Sequence, residues 1–250
     1  MKKGTKITHK SYPFNSDGDH DIKWDKTETV NEEEFNTIFD GPENFFMHIH
    51  EGNIYGVNKL IFRGKRFTLL EPNPVTFYFS AAHDMARQIN DAYNKLEHAL
   101  DKVPNAWPVS VSYSYIFKVS SMCIIFAYSA CDAFLNQRLP EYRTINIEGK
   151  ELTKKDIERL ALERKLKAVS TDTQKDFATK HPRKMKKLLE LRDLRNQLIH
   201  LKEKRRGIAT SYNDIYQIML ELDLTKIMNT VKSFINFYHP KLIVNYNYGK

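Results

Sequence analysis

Two textures divide the chain. Through residue 80, short aromatic and β-branched runs alternate with turn-forming clusters: Asn15-Ser16-Asp17-Gly18, Asp40-Gly41-Pro42, Glu51-Gly52-Asn53 and Pro72-Asn73-Pro74. Apolar runs bounded in this way predict strands over residues 53–60, 61–70 and 75–79, with Arg63-Gly64-Lys65 as a turn. Residues 1–30 are expected to be extended or partly disordered. From Ser80 the apolar spacing becomes helical. One helix is expected over residues 81–103, ahead of Pro104 and Pro108, and a long apolar one over 110–139, stopped by Pro140. A short connection containing Gly149 leads to Thr153-Lys154-Lys155-Asp156, whose capping-box pattern opens a third helix running to about residue 169. A fourth is expected over 182–206, with Pro182 in its first turn and Gly207 as its stop, and a fifth over 211–237. The expected architecture is mainly α. A smaller β-containing N-terminal segment (residues 1–80) precedes a bundle of about five helices (residues 81–250).

Composition narrows the class. The chain has 250 residues, enough for a sizeable core, and its 15 Phe and 13 Tyr argue against a disordered chain. Two cysteines make no disulfide framework, which suits a reducing compartment. Met1-Lys2-Lys3 is followed by polar residues rather than an apolar signal region. The apolar run 119–139 is interrupted by serines, Cys131, Asp132, Asn136 and Gln137, short of the ~20 clean residues a bilayer span needs. A soluble cytoplasmic protein with no membrane partner is the expectation.

The net charge of +8 is unevenly placed. Residues 1–50 carry 6 Lys/Arg against 10 Asp/Glu, whereas residues 150–206 carry 19 against 9. A basic block of this kind is either a solvated helix face or a footprint for phosphates, and charge alone leaves both open. The basic residues nearest the chemistry discussed next are Lys184, Lys187, Arg192, Lys202, Lys204, Arg205 and Arg206, the candidate RNA contacts.

The most informative stretch is Leu191-Arg192-Asp193-Leu194-Arg195-Asn196-Gln197-Leu198-Ile199-His200-Leu201. At 100° per residue, Leu191, Leu194, Leu198 and Leu201 form an apolar stripe about 80° wide. Arg195 falls about 40° beyond Leu191, at the edge of the core, while Asn196 and His200 share a face on the far side. A guanidinium beside a leucine stripe is costly to desolvate unless it meets an anion. From the residues alone, an internal salt bridge with a surface histidine fits as well as a phosphate site does.

The segment Arg195-Asn196-Gln197-Leu198-Ile199-His200 resembles the signature of the HEPN superfamily (higher eukaryotes and prokaryotes nucleotide-binding). That signature is an Arg, a polar residue that is often Asn, and a His four to six positions after the Arg. Residues 127–136 (AYSACDAFLN) and 162–167 (LERKLK) are also similar to stretches of family members, with Asp132 in the usual acidic position of the first. The resemblance spans roughly residues 81–237. It implies a metal-independent endoribonuclease of toxin or antiviral-defence type, working without cofactor at the seam of a homodimer and restrained by an antitoxin or other regulatory partner. In that chemistry the ribose 2′-hydroxyl attacks the adjacent phosphorus, leaving a 2′,3′-cyclic phosphate and a 5′-hydroxyl. His200 takes the acid/base role, because imidazole is the only motif side chain that exchanges protons near neutral pH. Arg195 offers its fork to the phosphate, and Asn196 orients His200 or bonds a phosphate oxygen. Asp132 needs a partner in its apolar setting, and two are open: Arg195, which it would then support, or a group on some other helix. DNA lacks the nucleophile and is spared. The rival class is a non-catalytic HEPN module that binds RNA or nucleotide, or a dimerisation scaffold.

Helix geometry adds a constraint. On an ideal helix Arg195 and His200 lie about 140° and 7.5 Å apart, so one helix does not easily aim both at one phosphate. Two such helices across a two-fold axis would supply the pair from different chains.

Other motifs carry less. Asp17, Asp19, Asp21 and Glu28 match calcium-loop positions, but Ile22 stands where that loop needs Gly. His48 and His50 would share a strand face beside Phe45 and Phe46, where packing or surface roles are commoner than a metal, and no metal is expected. Cys123 and Cys131, eight apart on one helix, are core fillers. Tyr113, Tyr115, Phe117 and Phe126 are read as bundle core rather than base-stacking platforms.

Overall fold

The computed structural model describes residues 45–50, 53–70, 73–102, 107–140, 143–200, 204–206 and 209–243. The calcium-loop pattern over residues 17–28 lies outside them. The protein is mostly helical, with a small strand part near the N-terminal region.

Three antiparallel strands come first: β1 (Phe45–His50), β2 (Asn53–Phe62) and β3 (Lys65–Leu70), in the order β1-β2-β3. The β2–β3 register pairs Phe62 with Lys65, so the turn is the two residues Arg63 and Gly64. Both have positive φ (50° and 77°), which matches the right-handed twist of the flanking strands and which glycine adopts without strain.

The expected third strand, residues 75–79, is instead the first turns of helix α1 (Pro74–Arg87). Its apolar residues read either way over five positions, and the start signal decides. Asn73 Oδ1 accepts from the Val75 amide at 2.8 Å, and Pro74 occupies the first turn, where its missing N–H costs nothing. The spacing of Val75, Phe79, Ala82, His83 and Ala86 then makes one buried face. The helix expected over 81–103 is thus two, α1 and α2 (Ile89–Lys102), broken at Gln88. Gln88 is held at the break by Tyr115, whose hydroxyl donates to Gln88 Oε1 at 2.8 Å.

Helix α3 (Trp107–Arg138) is the centre of the bundle, packed by α1, α2 and the later helices. It is long and apolar enough to cross a membrane by length and composition, contrary to the reading of its apolar run. Its polar interruptions are tolerated because neighbouring helices cover them: Ser120 is fully buried, and Cys123 and Cys131 are buried free thiols. Burial raises both thiols, Cys123 to about 12, which leaves them inert. Tyr113 and Phe117 pack edge-on against Tyr216, and Phe126 stacks on Tyr78, in keeping with their reading as packing residues.

A two-residue hairpin, β4 (Ile145–Ile147) and β5 (Lys150–Leu152), turns through Glu148 and Gly149. The capping box forms as its sequence implies: Thr153 Oγ1 accepts from the Asp156 amide, and Asp156 accepts from the Thr153 amide. It opens only a single turn, α4 (Lys154–Ile157), and the helix restarts as α5 (Leu162–Thr173). A further single turn, α6 (Phe177–Lys180), precedes α7 (Pro182–Ile199).

Helix α7 ends at Ile199, seven residues short of the expected last residue, 206. Met185, Leu188, Leu191 and Leu198 are its buried residues. Past Leu201 the sequence has no apolar residue until Ile208, so nothing rewards continuation with burial, and Lys202 to Arg206 crowd like charges. Residues 204–206 instead form β6 (Lys204–Arg206), paired with β7 (Ala209–Ser211); Gly207 lies outside the described residues. The expected last helix is also two, α8 (Asn213–Glu221) and α9 (Leu224–Tyr238), with Asp223 capping α9 by accepting from the Lys226 amide at 2.9 Å.

The core between α3, α6 and α9 is aromatic: Phe134, Phe177, Phe234 and Tyr238 meet edge-on or tilted at 5.2–6.2 Å between centroids. On α1, His83 is 3% exposed, and burial holds its imidazole below the usual 6.5. A group whose folded pKa is depressed contributes stability that is full above its unfolded pKa and is lost as pH falls from there through the folded pKa. Melting temperature is therefore expected to drop between pH 7 and 5, and His83→Gln to flatten that slope. An unchanged slope in the variant would overturn the assignment.

Candidate functional site

Arg195 sits on the last turns of α7, half-buried, with its Nε fully buried and without a hydrogen-bond partner. Its Nη1 donates to Asn196 Oδ1 at 3.0 Å, and its guanidinium carbon lies 5.2 Å from the centre of the Tyr128 ring on α3. A planar cation held over an aromatic face is oriented without being neutralised. Arg195 has no carboxylate partner among the described residues.

Of the two partners open to Asp132, the structure shows a group on another helix and not Arg195. Asp132 Oδ1 accepts from Lys165 Nζ at 2.7 Å, and its Oδ2 lies 3.5 Å from Asn136 Nδ2. Lys165 comes from the buried face of α5 with its side chain 5% exposed. An ammonium that deep needs an anion, and Asp132 is the only acidic residue of α3. The two stretches 127–136 and 162–167 do meet, but as an ion pair between α3 and α5, with Lys165 in the place assigned to Arg195. The spacing of Leu162, Lys165, Leu166 and Val169 places Lys165 on an apolar face, and that was the signal for its burial.

Asn196 and His200 are exposed, as their shared face implies. His200 is the C-terminal cap of α7, its backbone out of the helical region (φ −111°, ψ 46°) and its amide donating to the Asn196 carbonyl at 3.0 Å. Arg195 and Asn196 are brought together; His200 is not brought to the guanidinium's cavity.

That cavity, about 850 Å³, opens between the start of α1, the end of α3, α4, α7 and the residues after α9. Besides Arg195 and Asp132 it is lined by Tyr128, Asn136, Arg138 and His239. Arg138 lies 5.3 Å from the centre of the Phe134 ring, and burial lowers its pKa. Burial, together with the charge of Arg138, also holds His239 below the usual histidine value. Burial, aided by the charge of Asp132, pushes the Tyr128 hydroxyl up, so it remains a neutral donor. Sequence reasoning missed Arg138 and His239; they lie 101 positions apart, and only the packing of α9 on α3 joins their ends.

The expected RNA contacts divide. Arg192 is half-buried between α5 and α7, its Nη1 bonded to Glu163 and its Nε and Nη2 to Asp193 at 2.9 and 2.8 Å, so it is a structural cation rather than a free one. Lys184 and Lys187 are exposed on α7, Lys184 reaching Ser233 Oγ at 2.9 Å. Lys204, Arg205 and Arg206 lie on strand β6, not on the helix, and Lys202 is outside the described residues. Side chains of His, Cys, Asp and Glu form no metal-holding cluster among the described residues. No family model, curated protein or solved structure matches the chain.

Proposed function

We propose that the protein is a metal-independent endoribonuclease of toxin or defence type, with a composite site made by two copies of α7. The observation that carries this reading is the Arg195 guanidinium: held over Tyr128, bonded to Asn196, and without a carboxylate to neutralise it among the described residues. A cation so placed is suited to charge developing on a pentacoordinate phosphorus. The 2′-hydroxyl attacks phosphorus while an imidazole removes its proton. The P–O5′ bond breaks, and the leaving oxygen is protonated by an imidazolium. His200, exposed at the end of α7 and outside the cavity, can serve another chain's Arg195 rather than its own. That same separation favours a second reading, a non-catalytic module binding RNA or nucleotide.

Purified protein with EDTA, incubated with total RNA and tRNA, tests the choice against a His200→Ala control. Cleavage that survives chelation, requires His200 and leaves cyclic-phosphate ends is the expected result. RNA left intact by both proteins would favour the binding module. Arg195→Ala is expected to lose cleavage more than affinity, since other basic residues supply most non-specific binding.

A further inference from the structure

We infer that the cavity at the end of α3 is a binding site for a phosphate monoester, gripped by Arg138 and Arg195 and read by Asn136. Its lining holds three cations, Arg138, Arg195 and Lys154, against two carboxylates, Asp132 and Glu158. Lys165 already neutralises Asp132, so it does not offset the arginines. Neither guanidinium has a carboxylate partner among the described residues, and each is seated on a ring, Arg195 on Tyr128 and Arg138 on Phe134. Both forks are thus oriented before any ligand arrives, which reduces the cost of ordering them on binding.

Two of the lining residues each carry a buried, unsatisfied polar atom: Arg195 Nε, a donor, and Asn136 Oδ1, an acceptor. A buried unpaired donor and acceptor cost free energy that a ligand with complementary groups would recover. An anion answers the first. The second calls for an N–H or O–H on the same ligand. Among the common oxyanions a phosphate monoester offers two negative charges and three acceptor oxygens, which suits guanidinium forks. The volume of about 850 Å³ admits a sugar phosphate or one terminal nucleotide, within the usual range for small-molecule sites. The shared chemistry is the monoester, on a free small molecule or at the 5′ end of an RNA. Arg195 is shared with the proposed cleavage site, but binding here needs neither His200 nor a second subunit, so binding to this cavity and RNA cleavage can be lost separately.

Calorimetric titration of the full chain decides it. The probes are ribose 5-phosphate, ribose, and a 2′-O-methyl tetranucleotide with and without a 5′-phosphate. At least one phosphorylated probe is expected to bind about tenfold or more tighter than its dephosphorylated form. Arg138→Gln is expected to lose that preference and Arg138→Lys to retain part of it, which separates lost charge from lost folding. Tight binding of ribose 5-phosphate assigns the site to a free phosphate; binding of the phosphorylated tetranucleotide alone assigns it to an RNA end. No binding of either phosphorylated probe, equal binding of phosphorylated and unphosphorylated forms, or full affinity in Arg138→Gln would overturn the inference.

Discussion

Mixing Arg195→Ala protomers with His200→Ala protomers is expected to restore about a quarter of wild-type RNA cleavage, although each variant alone is nearly inactive. Removing the acid/base imidazole or the charge-stabilising guanidinium should each lower cleavage by about 10²- to 10⁴-fold. In the proposed dimer every site takes Arg195 from one chain and His200 from the other. After subunit exchange about half of the dimers are mixed, and a mixed dimer has one site with both residues intact and one with neither. A site built within one chain would give no recovery at any mixing ratio. Cyclic-phosphate ends counted after exchange make the measurement, and absence of recovery would sink the composite site. The placement of His200 motivates the test: it caps α7, is exposed, and lines no part of the cavity that Arg195 enters.

Lys165→Met should be the most destabilising single change at the site. The Lys165 side chain is 5% exposed and that of Asp132 33%, with 2.7 Å between their charged atoms. Removing the ammonium leaves a carboxylate facing the packed end of α3 without its counter-charge. Breaking a buried pair from one side costs about 3–5 kcal/mol, and the partial exposure of Asp132 argues for the lower end, about 3 kcal/mol. In a chain of this size that lowers the melting temperature by about 6–12 °C. The double variant Lys165→Met/Asp132→Asn should recover much of the loss, because the orphaned charge goes with its partner. A melting temperature within 2 °C of wild type for the single variant, on the order of 1 kcal/mol or less, would mean that water already solvates Asp132.

Local signals were legible where a few adjacent residues settle the outcome. The Arg63-Gly64 turn, the Thr153–Asp156 capping box, the buried side of α7 at Leu191 and Leu198, and the exposure of Asn196 and His200 all follow from short-range geometry. Elsewhere the periodicity was ambiguous. Five residues, 75–79, fit a strand as well as a helix until the Asn73 cap is considered. The helices expected over 81–103, 153–169 and 211–237 break where one residue or a short linker redirects the chain, and apolar spacing registers no such break.

By itself, the sequence determined the helical class, the core-edge position of Arg195 and the solvent side of His200, since each depends on chemistry within a turn or two of helix. Tertiary structure alone decided which acid meets which base. Asp132 joined Lys165 because α5 brings a buried ammonium that no other acidic residue of α3 could neutralise, and Arg195 was left over Tyr128 with no carboxylate partner among the described residues. It also drew Arg138 and His239 to the same cavity. Charges inside a fold pair by proximity in space, and spacing along the chain does not encode that proximity.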